Sequence, residues 1–142
     1  MSLRAAYLSM HRQADRVLQP FGLTANQYVV LSVLDDEDGI TQQLLVDRVN
    51  SDPNTIRPIL VALEKKRFIR RKPHPTDRRA RSVHITPTGR KAFAKMRNES
   101  EEFRTQLIGE LPPQDVRSLI NLLNQVTLNM QPGAQRVTTD SE

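Results

Sequence analysis

The sequence predicts a mainly α-helical chain with one small β-hairpin. Three observations carry that reading. Apolar residues recur at three- and four-residue spacing over most of the length, and capping residues and prolines mark several helix starts. A short stretch between residues 68 and 86 changes to β-branched and aromatic residues around a turn. At 142 residues, with 37% hydrophobic content, no Trp, 4 Phe and 2 Tyr, the chain can close one core, but a lean one. A helical subunit that shares apolar surface with a second copy needs less of its own.

The elements follow in order. Leu3, Tyr7, Met10, Ala14, Val17 and Leu18 lie at helical spacing and predict an opening amphipathic helix that stops before Pro20 and Gly22. Thr24, with Gln27 three residues on, forms a capping-box signature for a second helix over about 25–34. The acidic run Asp35-Asp36-Glu37-Asp38 before Gly39 lacks the ligand spacing and closing Glu of a calcium loop and reads as a solvated turn. Thr41 caps a short third helix carrying Leu44, Leu45, Val46 and Val49. Asn50 tolerates the left-handed backbone of a tight turn. Asp52-Pro53 then restarts the chain as a cap followed by proline at the first helical position, with Ile56, Ile59, Leu60 and Leu63 on one face.

Phe68–Lys72 and Ser82–Thr86 read as the two strands of a hairpin, joined by Pro73-His74-Pro75-Thr76-Asp77. Thr86-Pro87 starts a helix expected to run through Phe93, Met96, Phe103 and Leu107 to about Gly109. Pro112-Pro113 opens a last helix with Val116, Leu119, Ile120, Leu123, Val126 and Met130 in one stripe. Residues 132–142 have little to bury and are expected to be a disordered tail.

Several function classes are excluded or disfavoured. Without cysteine there is no disulfide scaffold, thiol nucleophile, iron–sulfur cluster or Cys-based zinc finger. No Gly-rich phosphate loop, nucleophile elbow or His-Glu-x-x-His occurs, so neither an enzyme nor a cofactor is expected. His74 and His84 could meet across the hairpin and hold a metal with Asp77, but an exposed hairpin is a poor place for a fixed coordination shell, and no metal is assigned. No run approaches about 18 apolar residues and no basic-then-apolar leader opens the chain. A soluble, cytoplasmic protein without a membrane partner is the expectation.

Charge placement says more than net charge. Between Glu64 and Arg81 stand Lys65, Lys66, Arg67, Arg70, Arg71, Lys72, Arg78, Arg79 and Arg81 against two acidic residues, a local +7 in a chain of formal charge +5. A solvated charged face could have this composition, but so could a nucleic-acid contact, and position favours the second. Two short helices joined by a few residues make a helix-turn-helix, and a basic hairpin directly after it makes a winged helix. The second helix of such a pair fits a major groove about 12 Å wide and shows its first turns to base edges. Here those turns carry Asn54, Thr55 and Arg57. Asn suits adenine and Arg suits guanine, although Asn54 and Thr55 could equally serve as helix caps. The hairpin would reach a neighbouring minor groove, whose negative potential attracts Arg.

These residues resemble a known family. Thr41-Gln42-Gln43-Leu44-Leu45, Asp52-Pro53-Asn54-Thr55-Ile56, Leu63-Glu64-Lys65-Lys66 and above all Asp77-Arg78-Arg79-Ala80 with Val83-His84-Ile85-Thr86-Pro87-Thr88-Gly89 are similar to the MarR family of bacterial transcriptional regulators. The resemblance implies a winged helix-turn-helix lobe over 21–89, with its recognition helix over about 53–66 and its wing over about 68–86. The terminal segments 1–20 and 90–131 would form a dimerisation domain. It implies a homodimer on a pseudo-palindromic double-stranded operator, acting as a repressor. Gln42, Asn54, Thr55, Arg57, Lys72, Arg78, Arg79 and Arg81 would contact DNA, Arg79 in the minor groove with Asp77 holding its side chain. The alternative is a winged-helix module that binds an acidic protein partner instead.

Two positions depart from the family pattern. Pro58 lies inside the recognition helix, where it cannot donate to the Asn54 carbonyl, so a bent or 3₁₀-like first turn, or a start nearer Thr55, is expected. Arg67 stands where the family usually ends this helix with Gly, and Arg at positive φ is strained, so a remade helix end is expected. The family commonly senses small aromatic acids between its dimer helices and DNA-binding lobe. Tyr7, His11 and Tyr28 are the residues here that would line such a site, though core packing explains Tyr28 equally well.

Overall fold

The computed structural model describes residues 1–131, and the expected tail over 132–142 lies outside them. The elements are α1 (Ser2–Leu18), α2 (Ala25–Asp36), β1 (Ile40–Thr41), α3 (Gln42–Arg48), α4 (Pro53–Lys65), β2 (Ile69–Pro73), β3 (Arg81–Ile85), α5 (Pro87–Glu99), α6 (Glu101–Ile108) and α7 (Pro113–Met130). A 3₁₀ turn over Gln19–Phe21 follows α1. Met1–Arg104 form one compact unit and the chain from Thr105 a second.

Most helix starts fold as local chemistry dictates. Thr24 accepts the Gln27 N–H while the Gln27 side chain accepts the Thr24 N–H, a complete capping box. Thr41 accepts from Leu44 N and Thr86 from Gly89 N. Asp52 accepts from both Asn54 N and Thr55 N ahead of Pro53. Two helix ends close on left-handed residues that are not glycine. At Asn50 (φ 48°), Ser51 N donates to Val46 O and Asn50 N to Asp47 O. At Arg67 (φ 60°), Phe68 N donates to Leu63 O and Arg67 N to Glu64 O. Both are Schellman closures. The end of α4 is therefore not remade around Arg67; the arginine takes the conformation glycine would take.

Four further expectations are corrected. The sheet has three strands, in the order β1-β3-β2, not two. β1 is only two residues long, pairing Ile40 with Val83 and Thr41 with Ser82, too short to show a period in sequence. The helix starting at Pro87 is interrupted at Ser100, whose hydroxyl donates to Arg97 O, a back-bond of the kind that bends helices. Pro58 neither converts the first turn of α4 to 3₁₀ nor delays its start: the helix is α from Pro53, with Ile56 N donating to Asp52 O. Asn54 and Pro58 are both exposed, so water can satisfy the carbonyl that Pro58 leaves without a donor.

The acidic run is the fourth correction, since three of its carboxylates are tethers. Asp35 pairs with Arg90 of α5 at 2.8 Å, Glu37 with Arg48 of α3 at 2.6 Å, and Asp38 accepts the Ile85 N–H of β3 at 2.8 Å. Arg48, by hydrogen bond and charge, holds the Glu37 carboxyl below its usual range.

The core of the first unit joins α2, α3, α4, β3 and α5. Leu31, Leu34, Leu45, Leu60, Leu63 and Val83 expose nothing, each worth about 1.5–3 kcal/mol of burial. Gly89 sits where α5 meets the end of α4: a Cβ there would lie 2.1 Å from the Phe68 carbonyl oxygen. Thr86 completes that corner, its hydroxyl donating to Arg67 O at 2.6 Å. The Thr-Pro-Thr-Gly motif is thus a splice between wing and helix. In the second unit α7 buries none of its residues; Leu119, Ile120, Leu123 and Val126 remain exposed.

Candidate nucleic-acid interface

α3, the turn at Asn50 and α4 form the helix-turn-helix, and β2, β3 and the turn over 74–80 form the wing. Between them lies a cleft of about 480 Å³ lined by Gln42, Gln43 and Pro53 on one side and Asp77, Arg79 and Arg81 on the other. Four of the nine residues singled out in sequence for DNA contact or wing support therefore converge. Lys72 and Arg78 lie elsewhere on the wing, and Asn54, Thr55 and Arg57 line the exposed start of α4.

At that start Asn54 and Arg57 are exposed. Among the described residues no side-chain hydrogen bond engages either of them. Thr55 differs: its hydroxyl donates to Asp52 Oδ2 at 2.6 Å, so its donor serves the helix cap. The Thr55 hydroxyl, then the Thr55 and Asn54 amides, hold the Asp52 carboxyl below its ordinary range despite desolvation. A carboxylate already occupies the positive end of this helix, which opposes a phosphate there and leaves the side chains of Asn54 and Arg57 as its free chemistry.

The wing is shaped by a different contact from the one expected. Asp77 Oδ1 accepts the backbone N–H of Arg79 at 2.9 Å, while Ala80 N donates to Asp77 O and His74 N to Ala80 O. Asp77 thus folds the turn instead of gripping the arginine side chain. Among the described residues the Arg79 guanidinium makes no ion pair, and it projects exposed from a fixed backbone.

Sequence reasoning missed the link between the wing and α4. Arg71 Nη2 of β2 donates to Glu64 Oε2 of α4 at 2.6 Å. That hydrogen bond, opposed by partial burial, lowers the Glu64 carboxyl below its usual value and raises the Arg71 guanidinium. One of the nine cations of the basic run is therefore structural. A Glu at the next-to-last position of α4, with an arginine in the strand that follows, was the only signal for it.

The histidines do not assemble with Asp77. His74 Nδ1 faces Thr76 in its own turn, and His84 faces Ser82 and Asp38. Of the residues expected at an effector site, Tyr7 lines a separate cleft of about 360 Å³ with Val29, Asn50, Thr55 and Ile59. The His11 ring lies tilted against Tyr7, centroids 5.5 Å apart, and its Nδ1 is 3.2 Å from Asp15 Oδ2. Tyr28 turns the other way, packing against buried Phe93 with ring centroids 5.2 Å apart.

A sequence model of the MarR family matches residues 23–80. Transcriptional regulator HosA of Escherichia coli O111:H- is 34% identical over 106 residues, covering 70% of this chain and 78% of HosA. The chain belongs to the MarR family. It is a DNA-binding transcriptional regulator of winged-helix fold and not an enzyme. Among solved structures, the Staphylococcus aureus MepR–DNA complex shares the fold of this MarR-family chain, with a TM-score of 0.80 and 23% identity over 90% of this chain and 95% of that one. Bordetella bronchiseptica BpsR, described in terms of regulation of its DNA binding by 6-hydroxynicotinic acid, is 27% identical with a TM-score of 0.79 over 88% of this chain and 95% of its own.

Proposed function

We propose that this MarR-family regulator is a cytoplasmic repressor that binds a pseudo-palindromic operator as a homodimer and leaves it when a small ligand binds. The observation that carries the DNA reading is the convergence of Gln42, Arg79 and Arg81 on one cleft beside an exposed Asn54 and Arg57. In this reading α4 enters a major groove, Arg79 enters the adjacent minor groove, and Lys72 and Arg78 meet phosphates. Residues 21–89 make up the DNA-binding lobe, and 1–20 with 90–131 the dimerisation segments. Their exposed apolar side chains, Leu3, Tyr7 and Met10 on α1 and Leu119, Ile120, Leu123 and Val126 on α7, support a shared interface. Such a dimer sets two recognition helices about one DNA turn, roughly 34 Å, apart.

The effector reading is supported by the Tyr7 cleft, which reaches Asn50 in the helix-turn-helix turn and Thr55 in the first turn of α4, and by the description of BpsR. A ligand weakens operator binding only if it prefers the lobe spacing that does not fit DNA.

The test is a fluorescence titration on the duplex upstream of the protein's own gene. Binding is expected to weaken steeply with salt, with a log–log slope of about −0.9 per phosphate neutralised. Arg79→Ala is expected to lose roughly 1–3 kcal/mol of affinity, while Lys72→Ala reduces the salt slope without altering site preference. Binding that is flat in salt, or equal on scrambled duplex, would overturn the reading and favour a protein partner for the basic surface.

A further inference from the structure

The two faces of α4 have different chemistry. Ile56, Leu60 and Leu63 are buried and hold the helix to the core. At 3.6 residues per turn, Asn54, Arg57, Pro58, Val61 and Lys65 fall within about 100° of one another on the opposite face, and all five are exposed. Asn54 and Arg57 bring hydrogen-bonding groups to that face, and Lys65 brings charge. Pro58 and Val61 bring neither. A lone exposed valine is ordinary on a protein surface. This pair differs in its place, because it interrupts, at mid-helix, the row of polar side chains that α4 turns outward.

Pro58 sharpens the contrast. Inside a helix, proline removes one backbone hydrogen bond and crowds the carbonyl four residues back. It lies beyond the first turn, where its missing N–H would have gone unused. Being exposed, its ring recovers little by burial in the free protein. What the ring adds to the outward face is carbon that neither donates nor accepts a hydrogen bond, and Val61, 40% exposed, extends that patch.

The charges around the patch point to what covers it. Arg57 stands one position before Pro58, and Lys65 one turn beyond Val61. The face itself holds no carboxylate: Asp52 is engaged by the Asn54 and Thr55 amides at the cap, and Glu64 turns to Arg71 of β2. An apolar spot framed by cations suits a polyanion with apolar groups set between its charges. The major groove of DNA has that chemistry where thymine shows its C5 methyl. The groove also shows O4 of thymine and the N4 amino group of cytosine, but a proline ring and an isopropyl group can bond neither. The methyl is the feature this pair can read. Pro58 and Val61 lie about 4.5 Å apart along the helix axis, against a rise of about 3.4 Å per base pair, so the patch spans one or two base steps.

We propose that Pro58 and Val61 are specificity-determining residues that favour thymine over cytosine, through the C5 methyl, at one or two base pairs of each half-site. This rests on the reading above that α4 enters a major groove, and deepens it by naming a base.

The full-length protein is used to select binding sites from a random duplex pool. Each thymine of the selected site is then replaced by deoxyuridine, which removes the methyl and leaves the pairing edge intact. Uracil at one or two positions per half-site is expected to weaken binding roughly fourfold, the span of one buried methyl. Val61→Ala and Pro58→Ala should each shrink that thymine–uracil ratio, and the double variant should abolish it. A general weakening of the fold lowers affinity for both duplexes alike, so the ratio separates contact from structure. Selected sites without thymine, no uracil effect at any thymine, or a ratio of full size in the double variant would each overturn the inference while leaving groove binding in place. Equal binding to all duplexes, with no site selected, would instead overturn the groove reading, and this inference with it.

Discussion

Removing the carboxylate of Glu64 should loosen the wing from α4 and cost about 1–2 kcal/mol. The Glu64 and Arg71 side chains are 32% and 21% exposed and meet at 2.6 Å, between the surface regime of about 0–1 kcal/mol and the regime of several kcal/mol for breaking a buried pair. The Arg71 Nε is buried without a hydrogen-bond partner, so the guanidinium depends on Glu64 for its compensation. Glu64→Ala leaves that cation half-buried and unpaired, while alanine is the best helix former and adds no helical penalty. Arg71→Met keeps the packed stem and removes the unsatisfied nitrogen, leaving Glu64 near enough to solvent to be hydrated, so its cost should stay below about 1 kcal/mol. The assay is urea unfolding at fixed protein concentration, because a shared interface would make the midpoint concentration-dependent. The pH dependence has a definite sign. Arg71 depresses the Glu64 carboxyl in the folded state, so the pair's contribution is complete above the ordinary value of 4.5 and fades as pH falls through the lower folded-state value. The gap between Glu64→Ala and the parent should therefore close in acid. Arg71→Met costing more than Glu64→Ala, or a gap that widens in acid, would refute this account.

Two further outcomes are expected beside those for Arg79 and Lys72. Arg67→Gly relieves a non-glycine residue at φ 60° and should raise stability by roughly 0.5–1 kcal/mol in the same unfolding assay, since part of the left-handed strain is offset by the freedom glycine gains when unfolded. Gly89→Ala forces a Cβ against the Phe68 carbonyl and should cost about 3 kcal/mol or more, seen as a lowered urea midpoint or failure to fold; a neutral result would mean the α4–α5 corner can open freely.

What could be read in the sequence was local chemistry. The caps at Thr24, Thr41, Asp52 and Thr86 and the left-handed turn at Asn50 each depend on residues within five positions, and each formed as expected. The failures came from distance. β1 exists because Val83 and Ser82 pair with it from more than forty residues away. The acidic turn looked solvated because its partners, Arg48, Ile85 and Arg90, lie on three other elements. For Tyr28 the sequence left core packing and a ligand site equally open, and its contact with Phe93, sixty-five residues away, is the core-packing one. Asp77 is a different case: an aspartate accepting a backbone N–H two residues on is a local turn signal, and attention to the charge of Arg79 hid it. Residue identities and the sign of the charge were legible at the candidate interface. Which cations stay free and which brace the fold was not, as Arg71 shows.

The acidic run over 35–38, the end of α2 and the start of the turn after it, has a consequence for engineering. Surface connections ordinarily accept insertions, and grafts between related proteins are often cut there. In this chain one added residue would have to break at least one of three anchors to α3, β3 and α5, since all three leave from four consecutive positions. Chimeras should therefore carry residues 35–38 together with Arg48 and Arg90 as a single cassette, keep a backbone N–H at position 85, and place their junctions elsewhere.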